Sequence, residues 1–202
     1  MHRQRIAAAI LLAPLALAIG AGAAPASCAP NATKTLLKAG PARLYSQGTQ
    51  LYGCLGSRRT RLGALRGTVP FPATRIALYV LSSRFAGTDT ANMGVDTFSS
   101  TVALFDLRSG ARIATAAATT PERRAESFLT VASMVVDAKG TLAWIGQRSA
   151  IGVPTPTLEV HALNAAGNRL LASGAHISPK SLRLHGETLT WQAGGQTKST
   201  TL

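Results

Sequence analysis

The sequence is short of the residues from which most enzymes and nucleic-acid binders are built. Of its 202 residues only 8 are Asp or Glu, against 21 Lys and Arg, so a paired-carboxylate hydrolase would have to draw on few and scattered groups. Aromatic residues make up 5%, too few to interleave with the cations as a base-stacking surface, and they leave the core to Ala, Leu, Val and Ile. The chain has no G-x-S-x-G, no H-E-x-x-H, no phosphate loop and no dinucleotide fingerprint. No catalytic, cofactor-binding or metal-ligating set is therefore assigned, and no cofactor is expected. Two cysteines and four histidines are present, none at metal-ligand spacing. Helical periodicity is almost missing after the first 26 residues.

Residues 1–26 have the layout of a cleavable signal peptide. His2, Arg3 and Arg5 form a basic start, residues 6–20 are an uncharged apolar helix-forming run, and Ala24-Pro25-Ala26 is an A-x-A cleavage pattern before Ser27. A membrane anchor is the rival reading. It needs about 20 strongly apolar residues, whereas Pro14 interrupts this run and its second half is Ala and Gly. No second such run follows, so no transmembrane segment is expected once the leader is removed. The expectation is a secreted or extracytoplasmic protein of the cell envelope, with residues 27–202 as one domain. Cys28 also invites a lipid-anchored reading, but Pro25 stands where a lipidation signal normally has Leu.

The formal charge is +13, and removing Arg3 and Arg5 with the leader leaves +11. Such a surface attracts anionic partners, here an envelope protein or an anionic envelope polymer. Nucleic acid is not expected of an exported chain without a reading helix or stacking aromatics. The densest basic cluster is Arg58, Arg59 and Arg61, read as a solvated basic loop. In an oxidising compartment Cys28 and Cys54 read as a disulfide.

From residue 34 onward short apolar runs alternate with Gly-containing turns, which marks strands and hairpins. The pairs are 42–46 with 50–55, 101–107 with 112–117, 130–137 with 142–147, and 157–163 with 169–173. Three further strands are expected in residues 181–202. Residues 75–81 are apolar on both alternating faces and predict a central strand. Residues 85–100 read as a loop rich in Gly, Thr and Asp, and 119–127 as at most one helical turn. A weak repeat pairs Leu142 and Trp144 with Leu189 and Trp191, with looser copies at 75–79 and 48–52. Hairpins of the form Val102-x-x-x-Asp106-x-x-x-Gly110 accompany it.

The run from Thr130 to Ser173, TVASMVVDAKGTLAWIGQRS…TLEVHALNAAGNRLLAS, resembles one four-stranded blade of the TolB-like or WD-repeat-like β-propellers. The resemblance implies an all-β fold of antiparallel hairpins in three to four propeller-like blades, with an incomplete ring. It implies no activity, because propellers host many functions. A β-sandwich is the alternative.

Candidate ligand contacts are Asp89, Asn92 and Asp96 on the 85–100 loop, with Arg58, Arg59 and Arg61. The acidic run is not a calcium loop, since Ala91 and Met93 stand where oxygen donors are needed. Glu159 and His161 alternate with Leu158, Val160 and Ala162 and are expected to face solvent. Trp144 and Trp191 are expected to pack between sheets. The sequence thus reads as an exported, non-enzymatic β-domain that binds or scaffolds at the envelope or outside the cell. A lipid-anchored protein and an accessory or enzymatic domain with an unrecognised site are the alternatives.

Overall fold

A computed structural model describes residues 28, 33–65, 73–94, 97–121 and 127–202; the proposed leader and Asp96 lie outside these residues. The described chain is all-β, with 15 strands arranged as successive antiparallel meanders. The first meander is β1 (Lys34–Ala39), β2 (Ala42–Gln47), β3 (Gln50–Leu55) and β4 (Arg58–Ala64). The second is β5 (Ala73–Leu81), β6 (Phe85–Met93), β7 (Phe98–Asp106) and β8 (Ala111–Ala117). The third is β9 (Ser127–Val136), β10 (Leu142–Ala150), β11 (Thr157–Asn164) and β12 (Gly167–Gly174). A fourth, β13 (Arg183–His185), β14 (Thr188–Ala193) and β15 (Gln196–Thr201), has three strands. The second and third meanders touch through one parallel bridge, Phe98 to Phe128, and so form one eight-stranded sheet. Among the described residues no helix is long and apolar enough to cross a membrane.

Strand alternation explains how the meanders stack. Successive side chains point to opposite faces. In β7, Ala103 and Phe105 join Leu44, Leu51 and Leu62 of the first meander, while Val102 and Leu104 join Leu142 and Trp144 of the third. In β10, Leu142 and Trp144 point back to the second meander, and Ala143 and Ile145 pack with Leu182, Leu189 and Trp191 at the C-terminal end. Both middle meanders are thus covered on two faces, which is why residues 102–105 of β7 and 142–145 of β10 are unbroken apolar runs.

The hairpins expected from the sequence form, with turns closed by side chains as well as backbone. Asp106 Oδ1 accepts the Arg108 N–H at 2.9 Å, Asp137 Oδ1 accepts those of Lys139 and Thr141 at 2.9 and 2.7 Å, and Asn164 Oδ1 accepts that of Ala166 at 2.9 Å. These are Asx turns, and they are what the recurring Asp-to-Gly pattern encodes. Gly110 and Gly140 complete two of them at φ +77° and +91°, where a Cβ would be strained.

Four expectations need correction. Residues 85–100 are not one long loop: most of them are β6 and the start of β7, paired from Phe85↔Asp106 to Met93↔Phe98. Their small polar residues suit a strand whose side chains must pass beneath a neighbouring sheet. Arg58, Arg59 and Arg61 lie in β4, the edge of the first sheet, rather than in a loop. The 75–81 strand is the end of its sheet and not central, with Arg75 and Ala77 exposed. Of the repeat, Trp144 and Trp191 occupy the second strand of their meanders, whereas Tyr79 lies in a first strand and Tyr52 in a third. The helical turn expected at 119–127 falls largely outside the described residues.

Cys28 and Cys54 form a disulfide, with Cα atoms 5.8 Å apart. It pins the N-terminal end of the described chain to β3, beside Tyr45, whose hydroxyl donates to the Cys28 carbonyl. Closing a loop between residues 26 apart restricts the unfolded chain and stabilises the fold by about 3 kcal/mol. Reduction, or Cys28→Ser with Cys54→Ser, should lower the melting temperature by several degrees. Equal melting with and without reductant would show that the bond contributes nothing.

Candidate functional site

The turns that join the first to the second strand and the third to the fourth strand of each meander lie at one end of the stack. That rim carries three adjoining cavities. The largest, about 660 Å³, lies between the first and second meanders and is lined by Pro41, Leu55, Gly56, Ser57, Arg58, Ser83, Arg84 and Arg108. Its three arginines come from three places: the start of β4, the β5–β6 turn and the β7–β8 turn.

Each of the first two is held in place. Arg84 makes a fork with Asp106, Nε to Oδ1 at 2.9 Å and Nη2 to Oδ2 at 2.7 Å, and its guanidinium lies 4.9 Å from the Phe85 ring centre. That fork outweighs desolvation and, with the Arg108 N–H and the Ser109 hydroxyl, holds the Asp106 carboxyl well below the usual range. Arg58 crosses between meanders to donate from Nη1 to the Ser109 carbonyl at 3.2 Å. Arg108 is exposed at its turn. Of the three guanidiniums, the Asp106 carboxylate thus pairs with that of Arg84 alone, and the three arginines together can accept an anion that approaches from the rim.

The sequence cluster of arginines is divided by strand alternation. Arg58 reaches the rim cavity. Arg59 and Arg61 lie on the outer face of the first meander, where Arg59 stacks 3.7 Å over the Tyr52 ring and donates to Gln47 Oε1 at 2.7 Å. Arg61 donates to Gln50 Oε1 at 3.0 Å. Arg84 and Arg108 were not singled out from the sequence, since each is a lone cation in a turn. The signal that could have found them is their position: each lies within a Ser- or Asp-closed turn at the same end of a hairpin.

Asp89 and Asn92 do not form a ligand-facing loop. Asn92 is half-buried near the end of β6, where its Oδ1 accepts from the Thr74 hydroxyl at 3.0 Å. Asp89 is 1% exposed, on the β6 face turned to the third meander. Burial pushes its carboxyl up to about 6, with the Ser100 hydroxyl partly offsetting this.

Glu159 and His161 do not face solvent either. His161 Nε2 lies 2.8 Å from Glu159 Oε2, both residues are buried, and the His161 ring stacks on Trp144 at 5.0 Å between centres. Arg148 pairs with the other Glu159 oxygen, and the Thr120 N–H donates to Oε2 at 2.7 Å. Burial opposes ionisation of Glu159, but the hydrogen bonds from Thr120 and His161, and the attraction of His161, hold its carboxyl below its ordinary value. The face opposite Leu158 and Val160 was expected to be wet because it carries charged residues. It is dry because the second meander covers it. This network ties sheets together, with Glu159 and His161 both buried in it. Among the described residues no group of three or more His, Cys, Asp or Glu could hold a metal ion.

The same layer fixes a close approach. The Ala118 carbonyl accepts from the Trp144 indole at 2.7 Å and lies where a Cβ on Gly146 would be. Gly146→Ala should therefore destabilise the fold by about 1–3 kcal/mol through overpacking, seen as a lower denaturation midpoint; a neutral effect would mean the 118–120 segment yields freely.

Asp89 sets a pH dependence. Its unfolded carboxyl titrates near 3.9 and its folded one near 6. Between these values the unfolded chain gives up this proton first, so stability falls as pH rises from about 4 to 6 and the penalty persists above that. Asp89→Asn should raise stability at pH 8 by roughly 2–3 kcal/mol, and the gain should vanish near pH 4. A variant no more stable than the parent at pH 8 would contradict this.

Compared with known proteins, the chain matches no family model, no curated protein and no solved structure, so the TolB-like and WD-repeat resemblance gains nothing from them.

Proposed function

We propose that this chain is an exported, non-enzymatic β-domain whose arginine-lined rim cavity binds an anionic group of the cell envelope. The observation that carries the reading is the convergence of Arg58, Arg84 and Arg108 on one cavity of about 660 Å³, with Arg84 held by Asp106. The guanidiniums of Arg58 and Arg84, held by their own framework, lose little freedom on binding, and they present forks suited to phosphate or carboxylate oxygens. The ligand-facing part of the molecule is then the rim turns, supported by a rigid stack of sheets.

The Cys28–Cys54 disulfide supports an oxidising compartment, and with it the leader reading of residues 1–26. It also favours a secreted domain over a lipid-anchored one, because lipidation needs the Cys28 sulfur. The stacked four-stranded meanders support blades of an incomplete propeller. Against an enzymatic role stands the sealing of Glu159 and His161 between sheets.

Arg58→Ala combined with Arg108→Ala should weaken binding of triphosphate at least ten-fold and lower association with isolated envelopes. Arg75→Ala, an exposed cation of β5 outside the cavity lining, should change neither. Equal losses in both variants would reduce the effect to net charge and remove the cavity from the case. Titration calorimetry and envelope sedimentation supply the readouts.

A further inference from the structure

The charge of the chain is unevenly spread. Its first acidic residue is Asp89, so the first meander, from Lys34 to Ala64, holds six cations and no acidic side chain. Alternation turns Ala42, Leu44, Leu51 and Leu62 toward the second meander and sends Arg43, Tyr52, Arg59 and Arg61 to the outer face. Register then draws the outward cations together. Lys38 pairs with Arg43, Arg43 with Cys54, and Cys54 with Arg59, a row that crosses all four strands. Arg61, opposite Tyr52, stands in the next row. At about 4.8 Å per strand the first row is roughly 14 Å wide. Lys38, Arg59 and Arg61 are exposed and Arg43 is half-buried. The partners that hold Arg59 (Tyr52 and Gln47) and Arg61 (Gln50) are neutral. The same face receives the N-terminal end of the described chain, since Cys28 is bonded to Cys54 and lies beside Tyr45. Residues 21–27 alone separate Cys28 from the apolar run of residues 6–20. Fully extended they span at most about 25 Å.

We propose that the outer face of the first meander docks on an anionic lipid surface. It does so with side chains other than those that line the rim cavity. A broad sheet face with cations in two rows matches a planar array of headgroup phosphates, whereas a single-file polymer would meet one row and miss the other. Each cation brought close to an anionic bilayer strengthens binding about five-fold, and the contributions multiply. The place of Cys28 supplies the second argument. A membrane that holds the apolar run lies within reach of this face, and cutting after Ala26 leaves the domain with this face turned to the bilayer.

The test is co-sedimentation of residues 27–202, disulfide intact, with vesicles of phosphatidylcholine alone or mixed equally with phosphatidylglycerol. The protein should bind the mixed vesicles, bind them less as salt rises, and leave the neutral ones alone. Arg59→Gln with Arg61→Gln should weaken this binding roughly ten-fold or more. Arg59→Lys with Arg61→Lys keeps the charge and should retain it. Lys180→Gln with Lys198→Gln removes the same charge at the other end of the stack and should have a much smaller effect. All four positions are exposed, and circular dichroism checks that each variant folds. Equal losses from the two Gln pairs would reduce binding to net charge and overturn the docking face. Neutral vesicles bound as tightly as anionic ones would overturn it too. If the protein ignores both vesicles yet binds soluble polyglutamate through Arg59 and Arg61, the face belongs to a polymer and the lipid proposal falls.

Discussion

The structure depends on one constraint: its two middle sheets must be covered on both faces. A four-stranded meander with one dry face can leave the other in water. The second and third meanders cannot, because residues 102–105 of β7 and 142–145 of β10 are apolar at every position, on both faces. Val102 and Leu104 look one way and Ala103 and Phe105 the other. Each such sheet therefore needs a neighbour on either side, and the first and fourth meanders supply the outer layers. Those outer layers can end in water. The last strand of the fourth, β15, is almost wholly exposed and built of Gln, Thr, Lys and Ser, which blunts an edge that would otherwise invite pairing.

The junction of the second and third meanders is where polar groups are admitted to this dry stack. The strap at 118–120 satisfies three of them at once. Ala118 donates its N–H to the Ser100 carbonyl and accepts from Trp144, and Thr120 donates to Glu159. A buried carboxylate without partners would cost several kcal/mol. Glu159 is instead met by Arg148, His161 and a backbone N–H. The network thus gives a register to two sheets that apolar contact alone would allow to slide. Asp89, in the same layer, is the less well served carboxyl, which is why its proton is held so much more firmly.

The hairpins were readable because turn chemistry is local. An Asp or Asn followed by Gly within a few residues specifies an Asx turn whatever lies above it, and Asp106, Asp137 and Asn164 all behave so. The strands that escaped notice lack apolar alternation. In β6, the residues Gly87, Thr88, Asp89 and Thr90 look like a loop, yet Gly87 is needed because Leu142 and Val80 occupy the space of a Cβ. In β4, alternate arginines look like a solvated loop, but Thr60 and Leu62 between them are buried. The candidate site was legible only in part. Arg58 was found, whereas Arg84 and Arg108 are far from it in sequence.

By itself the sequence determined the class of the fold, most of the hairpins, the pairing of the two cysteines and the positive charge. Each of these follows from local pattern, composition or the count of available partners. Tertiary structure alone decided which side chains meet. It placed three arginines from distant turns at one cavity, sent Arg59 and Arg61 to another face, and buried Glu159 and His161. The physical reason is that strand alternation assigns a residue to a face, but only the stacking of sheets decides whether that face is wet or dry.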